Sequence, residues 1–328
     1  MSAQPAALQA PPGPVDAPAP DLASEADRAD RLEHGIGPDI EPHIGPDNEH
    51  DFEPDLERRF GGLRRLYGEA GYARLRAARF AIVGLGGVGS WAAEALARCG
   101  VAELVLIDLD HVAESNVNRQ VQALTPTLGQ AKAQALAERI ALIHPGCLVH
   151  AVEEFAGPDN WPALLPVAVD GLVDACDQVR AKETLARWSL QADVPCIAVG
   201  AAGGKRRPEA VQVADLSEVT HDPLLAALRQ RLRRAGVVAR QHGAGKAQVP
   251  AGLTCVFSRE PVSLPQAAAV AAPEACDRPE LPATSDGSLN CAGYGSSVMV
   301  TATFGMVAAG AAVSQLLARL GPAAAQGR

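Results

Sequence analysis

Aromatic residues are scarce in this chain of 328 residues, 4% against 48% hydrophobic overall, so any core it builds is aliphatic. Ala, Val and Leu supply it, a composition suited to a sheet covered by helices. Paired cysteines are missing too. The seven present (Cys99, Cys147, Cys176, Cys196, Cys255, Cys276 and Cys291) are scattered without a CxxC spacing, which argues against a structural zinc site and a disulfide framework. Free thiols in this pattern fit a reducing, cytoplasmic setting. Lysine is rare, four residues beside 25 arginines. No Lys or Arg precedes Arg28 and no apolar block fills the N-terminus, so no secretory signal is predicted.

The formal charge of −9 is unevenly spread. Residues 1–57 hold fourteen acids and two arginines, a net of −12, while residues 58–328 hold 24 acids and 27 bases, a net of +3. The body is mildly basic, which permits a nucleic-acid partner without demanding one.

Residues 1–54 are rich in Pro, Ala and acids, with Ile-Gly-Pro-Asp repeated at Ile36–Asp39 and Ile44–Asp47. Such a segment cannot bury enough apolar surface to fold, so it reads as a disordered extension in which His34, His43 and His50 are solvated. Residues 55–78 read as a helical arm, with Leu56, Phe60, Leu63, Leu66, Tyr67 and Leu75 at amphipathic spacing. Strands are predicted at Phe80–Val83, Glu103–Ile107, Leu148–Val152, Gly171–Ala175 and Cys196–Val199, and helices at Ser90–Cys99, Thr127–Ile143 and Lys182–Gln191. This alternation predicts an α/β fold with a doubly wound, Rossmann-like sheet that is parallel in its N-terminal part. The C-terminal part reads as irregular: strands at Val211–Asp215 and Thr254–Ser258, a helix at Asp222–Ala235 and a low-complexity insertion over 267–288. One catalytic domain is expected over 79–328. The uncharged run Gly287–Ala318 is long enough for a membrane span. Its many Gly, Ala, Ser and Thr residues favour a buried core helix, and membrane association is not expected.

A strand runs into Gly84-Leu-Gly86-Gly87-Val-Gly89 and then a helix. Glycines let the backbone approach phosphate, and the helix N-terminus offers unpaired N–H groups. Asp108 closes the next strand, 19 residues past Gly89, where an acid would bond ribose hydroxyls. The glycines alone do not say which nucleotide. The segment that follows carries Asp110, Asn116, Asn118, Arg119 and Gln120, then Lys132. A triphosphate attacked by a carboxylate gathers charge that positioned Arg and Lys groups neutralise. Arg119 and Lys132 are the candidates, the bland alternative being two solvated cations. Val173-Asp174-Ala-Cys-Asp177-Gln178 follows a buried strand, where open α/β sheets bind ligands. Asp177 is placed to hold Mg²⁺, with Asp174 as the alternative ligand or as a partner supporting the ligand, or the segment is a helix cap.

Read together, these motifs resemble the ubiquitin-activating-type adenylyltransferases over about residues 58–205. The resemblance implies that Gly84, Gly86, Gly87, Gly89, Asp108, Asp110, Asn116, Asn118, Arg119, Gln120 and Lys132 bind ATP. Arg119, Lys132 and Asp177 would assist adenylation of a carboxylate, with Mg²⁺ on Asp177. It also implies a homodimer in which an arm arginine reaches the partner's triphosphate; of Arg59, Arg64 and Arg65, we take Arg65. Further segments resemble the tRNA threonylcarbamoyladenosine dehydratases: Arg59-Phe-Gly-Gly-Leu-Arg-Arg-Leu-Tyr-Gly68, Gly86-Gly-Val-Gly-Ser-Trp-Ala-Ala-Glu-Ala-Leu-Ala-Arg98, Asn118-Arg-Gln120, Asp222-Pro-Leu224, Cys255-Val-Phe-Ser258 and Val300-Thr-Ala-Thr-Phe-Gly305. That branch implies a tRNA substrate, and it admits a monovalent cation and a sulfur-relay protein. The alternative function is activation of a small sulfur-carrier protein's C-terminal carboxylate, for which Cys255 would be a candidate acceptor. Lys205-Arg-Arg207 and the arginines at 229, 231, 233, 234 and 240 are candidate RNA contacts or solvated faces.

Overall fold

Seven short runs of aliphatic residues form one sheet, in the order β3-β2-β1-β4-β5-β7-β6. The strands are β1 (Arg79–Val83), β2 (Glu103–Ile107), β3 (Leu148–Val152), β4 (Gly171–Asp174), β5 (Cys196–Val199), β6 (Val211–Asp215) and β7 (Thr254–Ser258). The computed structural model describes residues 53–239, 249–263 and 295–321. The acidic extension up to residue 52 with its three histidines, the 267–288 insertion, Arg240, Cys276 and Cys291 lie outside the described residues. All pairings are parallel except β6 with β7. Crossover helices therefore cover both faces, as a parallel sheet requires.

Alternation within the strands sorts the core. Ile82, Leu104, Leu106 and Val173 face one cluster; Ala81, Val83, Val105 and Leu172 face the other. The first face is closed by α2 (Gly62–Arg76, broken at Gly68), α3 (Gly89–Arg98), α4 (Lys132–Ile143) and α7 (Val298–Ala318). The second is closed by α5 (Val179–Ala192) and α6 (Pro223–Arg234) through Leu185, Leu225, Leu228 and Leu232. A short α1 (Leu56–Phe60), capped by the Asp55 side chain accepting from the Arg58 N–H, opens the arm.

The uncharged run becomes α7, the one described helix long and apolar enough to cross a membrane, with half of that window buried inside the protein. It packs on α3 so closely that a Cβ on Gly305 would sit 2.5 Å from the Val88 carbonyl oxygen and 2.7 Å from Trp91 Cβ. Its small residues thus serve helix–helix approach.

One expected helix is shorter than anticipated. Residues 125–127 form a single 3-10 turn, and α4 starts only at Lys132. Gly129 adopts φ +83°, and the Val112 N–H donates to the Gln130 carbonyl while the Gly129 N–H donates to that of Val112. That exchange stitches residues 129–130 to the β2 exit loop, so no helix can run through them. The consequence is functional, because Lys132 becomes the first residue of α4.

Candidate nucleotide site

A cavity of about 400 Å³ opens at the C-terminal ends of five parallel strands, β3, β2, β1, β4 and β5. Consecutive strands wind outward in opposite directions from the β1–β4 boundary, and the crevice at such a reversal is where open α/β sheets take ligands.

Its floor is the glycine turn. Gly84 holds φ +86°, and a Cβ there would lie 2.8 Å from the Cys176 amide nitrogen, so glycine alone lets the β1 and β4 exits run this close. Gly86 has nothing within 4 Å of its Cβ position and faces the open cavity. Gly87 also lines it, against the Arg119 stem and the Thr301 side chain. Gly89 does not: a Cβ there would meet the Gly84 carbonyl oxygen at 1.8 Å, so its glycine serves packing of α3 onto the turn.

Asp108 braces the same turn. Its Oδ2 accepts from the Leu85 N–H at 2.6 Å and its Oδ1 from the Asp110 N–H at 2.9 Å. Burial pushes its carboxyl up, opposed by the Lys132 charge and those two N–H groups. Nearly buried, Lys132 places Nζ 2.7 Å from Asp110 Oδ2, a carboxylate that is itself half exposed. Asn116 is buried and its Oδ1 accepts from the Ala113 N–H, closing a turn. Gln120 is buried beside it and its Oε1 accepts from Gln122. The Arg119 guanidinium donates to the Ser115 carbonyl at 2.5 Å and to Asn118 Oδ1 at 3.0 Å. Burial lowers its pKa from the usual arginine value. Asn118 lies outside the lining, donating instead to the Ser296 carbonyl at the head of α7.

Asp177 and Gln178 line the cavity at the exit of β4. Asp174 does not. It is buried and bonded to the equally buried Lys182, whose Nζ lies 3.0 Å from its Oδ1 and 3.1 Å from its carbonyl oxygen. Asp174 is thereby engaged with Lys182 and absent from the cavity lining, whereas Asp177 faces the cavity. No cluster of three or more His, Cys, Asp or Glu side chains exists among the described residues. A magnesium ion needs none, since it commonly takes one or two carboxylates and completes its shell with phosphates and water. The single carboxylate of Asp177 beside the glycine turn fits that demand.

The cavity thus gathers Gly84, Gly86, Gly87, Asp108, Asp110, Asn116, Arg119, Gln120, Lys132 and Asp177, and leaves out Gly89 and Asn118. Arg65 lies exposed on α2, away from the cavity of its own chain. Arg59 donates to the Ile143 carbonyl, and Arg64 pairs with Glu57 and Glu69. Lining residues not singled out in the sequence as site candidates include Glu154 and Phe155 after β3, Gly200–Gly203 after β5, Ser296 just before α7 and Thr301 within it. Those after β3 and β5 were accessible through the rule that strand ends bind ligands. Thr301 falls in the Val300–Gly305 segment that carries the family resemblance, but nothing in the sequence placed it or Ser296 at the cavity.

Several of the other candidates have partners within the fold, while the Arg206, Arg207 and Arg234 side chains are exposed. Lys205, expected among surface cations, is buried and donates to the Ser258 and Glu260 carbonyls. The Arg206 and Arg207 amides both donate to the Glu260 carboxylate. In the second basic group Arg229 donates to the Leu216 and Val219 carbonyls, and Arg231 pairs with Glu183. Burial pushes the thiols of Cys255 and Cys176 well up, and Asp174 raises Cys176 further, so neither is a ready nucleophile. Cys255 packs in β7.

A mostly parallel α/β sheet with a glycine turn, buried polar braces and two cationic side chains around one crevice defines a Rossmann-like nucleotide-binding protein. The chain belongs to the ThiF family, whose model matches residues 59–323. It is 42% identical to the tRNA threonylcarbamoyladenosine dehydratase of Escherichia coli over 80% of this chain and 94% of that protein. It is 39% identical to the Haemophilus influenzae protein of the same name, with the same coverage of both. Among solved structures, the Escherichia coli dehydratase TcdA in complex with ATP superposes with a TM-score of 0.69 at 39% identity, over 81% of this chain and 97% of that one.

Proposed function

We propose that this chain is an ATP-dependent tRNA threonylcarbamoyladenosine dehydratase, which adenylates the threonyl carboxylate and lets the same substituent close into a ring. One observation carries the reading: Gly86, Asp108, Asn116, Arg119, Lys132 and Asp177, drawn from separate segments, line a single cavity at the sheet's reversal point. The likeness to dehydratases over most of both chains supports the substrate.

The chemistry follows from the substrate. A carboxylate is a poor electrophile because oxide is a bad leaving group. Attack of its oxygen on the α-phosphorus of ATP forms a mixed anhydride and releases pyrophosphate. The urea group of the same substituent then attacks the acyl carbon, a five-membered ring closes, and AMP departs; the net change is loss of one water from the nucleoside. Ring closure is intramolecular, so holding the substituent in place supplies much of what that step requires. No covalent enzyme intermediate is needed.

The chain's own groups divide the work. The glycine turn and the start of α3 receive phosphate oxygens, and Asp108 faces the ribose. Arg119 and Lys132 neutralise charge on the triphosphate as pyrophosphate leaves, Lys132 exchanging its Asp110 partner for phosphate. Asp177 would hold Mg²⁺, which supplies charge neutralisation between phosphates when bound. Two copies assemble, with the exposed Arg65 reaching the partner's triphosphate. The five described cysteines are all free, which is consistent with a cytoplasmic setting.

The test is mass spectrometry of nucleosides from threonylcarbamoyl-modified tRNA after incubation with enzyme and ATP. Loss of one water is expected with the wild type and its absence with Lys132→Ala and Asp177→Asn. ATP turnover with an unchanged nucleoside mass would refute the assignment.

A further inference from the structure

Arg119 sits on an irregular segment between β2 and α4, a poor platform for an aimed charge. Its backbone is nevertheless held from two directions. The Trp91 indole Nε1–H, on the first turns of α3, donates to the Arg119 carbonyl at 3.0 Å. The Thr301 hydroxyl, on α7, donates to the same carbonyl at 3.4 Å. Thr301 is buried and lines the cavity with Arg119. Its side chain and the Arg119 Cγ both stand 3.2 Å from the Cβ position of Gly87, so the arginine stem, the glycine turn and α7 meet at one point. Trp91 is itself fixed by α7, whose Gly305 allows the close approach to Trp91 Cβ and the Val88 carbonyl. A half-buried indole needs an acceptor, and this one has a backbone atom of a cavity residue. The tether is reinforced where Asn118 donates to the Ser296 carbonyl.

We propose that Trp91 and Thr301 are positioning residues that clamp the Arg119 carbonyl and thereby aim its guanidinium at the nucleotide. The inference rests on the reading of Arg119 as a triphosphate-neutralising group. It gives the uncharged C-terminal helix a role in catalysis: α7 fixes a cation from a segment some 180 residues earlier, as the Thr301–Arg119 separation of 182 shows. Preorganised charge acts mainly on the transition state, so loosening it lowers kcat more than it weakens ATP binding.

Three substitutions test this in the full chain. Trp91→Phe keeps the ring and removes the N–H; Thr301→Val keeps the volume and removes the hydroxyl; Thr301→Ser retains it. Each N–H or O–H deletion is expected to lower kcat for AMP formation on threonylcarbamoyl-modified tRNA by about three- to tenfold, the range for one net hydrogen bond. ATP affinity by equilibrium dialysis should stay within about twofold, and Thr301→Ser should recover most of the loss. In an Arg119→Ala background Trp91→Phe should cost nothing further, because the two act as one unit. The proposal is overturned if ATP affinity falls as far as the rate, if the rate is unchanged, or if the Trp91→Phe loss persists in full without the guanidinium. Should Trp91→Phe fold poorly, Thr301→Val carries the same test. Wild-type turnover by Arg119→Ala alone would instead remove the assigned role of Arg119, a separate and recognisable failure.

Discussion

Replacing Lys182 by Met probes the ion pair beneath the cavity. The ammonium and the Asp174 carboxylate are almost wholly excluded from solvent, at 0% and 1% side-chain exposure, and 3.0 Å apart. Burial pulls the Lys182 pKa down, but the charge and hydrogen bond of Asp174, together with Cys176 and Cys196, leave it raised, so the lysine is charged. Asp174 Oδ1 also accepts from the Cys176 amide at 3.3 Å and from its thiol at 2.9 Å, whereas Oδ2 has no hydrogen-bond partner. Methionine matches the stem but strands a buried carboxylate. Removing one partner of such a pair costs about 3–5 kcal/mol. At about 2–4 °C per kcal/mol for a domain of this size, the melting temperature should fall by roughly 10 °C. Adding Asp174→Asn removes the stranded charge while an amide oxygen still accepts from Cys176, so the double variant should regain most of the loss. Urea denaturation and thermal melts of wild type, single and double variants measure this. A loss below about 1 kcal/mol in Lys182→Met, or a double variant no better than the single, would refute the argument.

Two further outcomes follow from geometry. Burial, reinforced by the Arg76 and Arg59 charges, lowers the His144 pKa to about 4. The unfolded chain, with an ordinary histidine pKa near ~6.5, therefore binds the extra proton first, so stability is lost as pH falls from about 6.5 towards 4, by up to about 3 kcal/mol. His144→Gln should flatten that slope in urea titrations, and an unaltered slope would contradict it. Gly305→Ala forces α7 off α3, because its Cβ would lie 2.5 Å from the Val88 carbonyl oxygen, at a cost of about 1–3 kcal/mol. Gly310→Ala, with nothing within 4 Å, should instead stabilise by about 0.5–1 kcal/mol; equal urea midpoints for the two would sink the packing account.

Local chemistry was readable in the amino-acid order. Strands at Glu103–Ile107, Leu148–Val152, Cys196–Val199, Val211–Asp215 and Thr254–Ser258 occur with the expected bounds, because short aliphatic runs between breakers have few other ways to be buried. The glycine turn was equally legible, since close backbone approach excludes larger residues there. What the chain order left open was the partner of each charge. Asp174 was an open ligand candidate until Lys182 was found sealed against it, and Lys205 a surface cation until two carbonyls from residues 258 and 260 enclosed it. The start of α4 depended on a turn stitched to the β2 exit loop, and Thr301 reached Arg119 only through helix packing. Pattern within a segment records which side chains can be buried; whether a charge is buried, and against what, is decided by segments that meet only when the sheet is assembled.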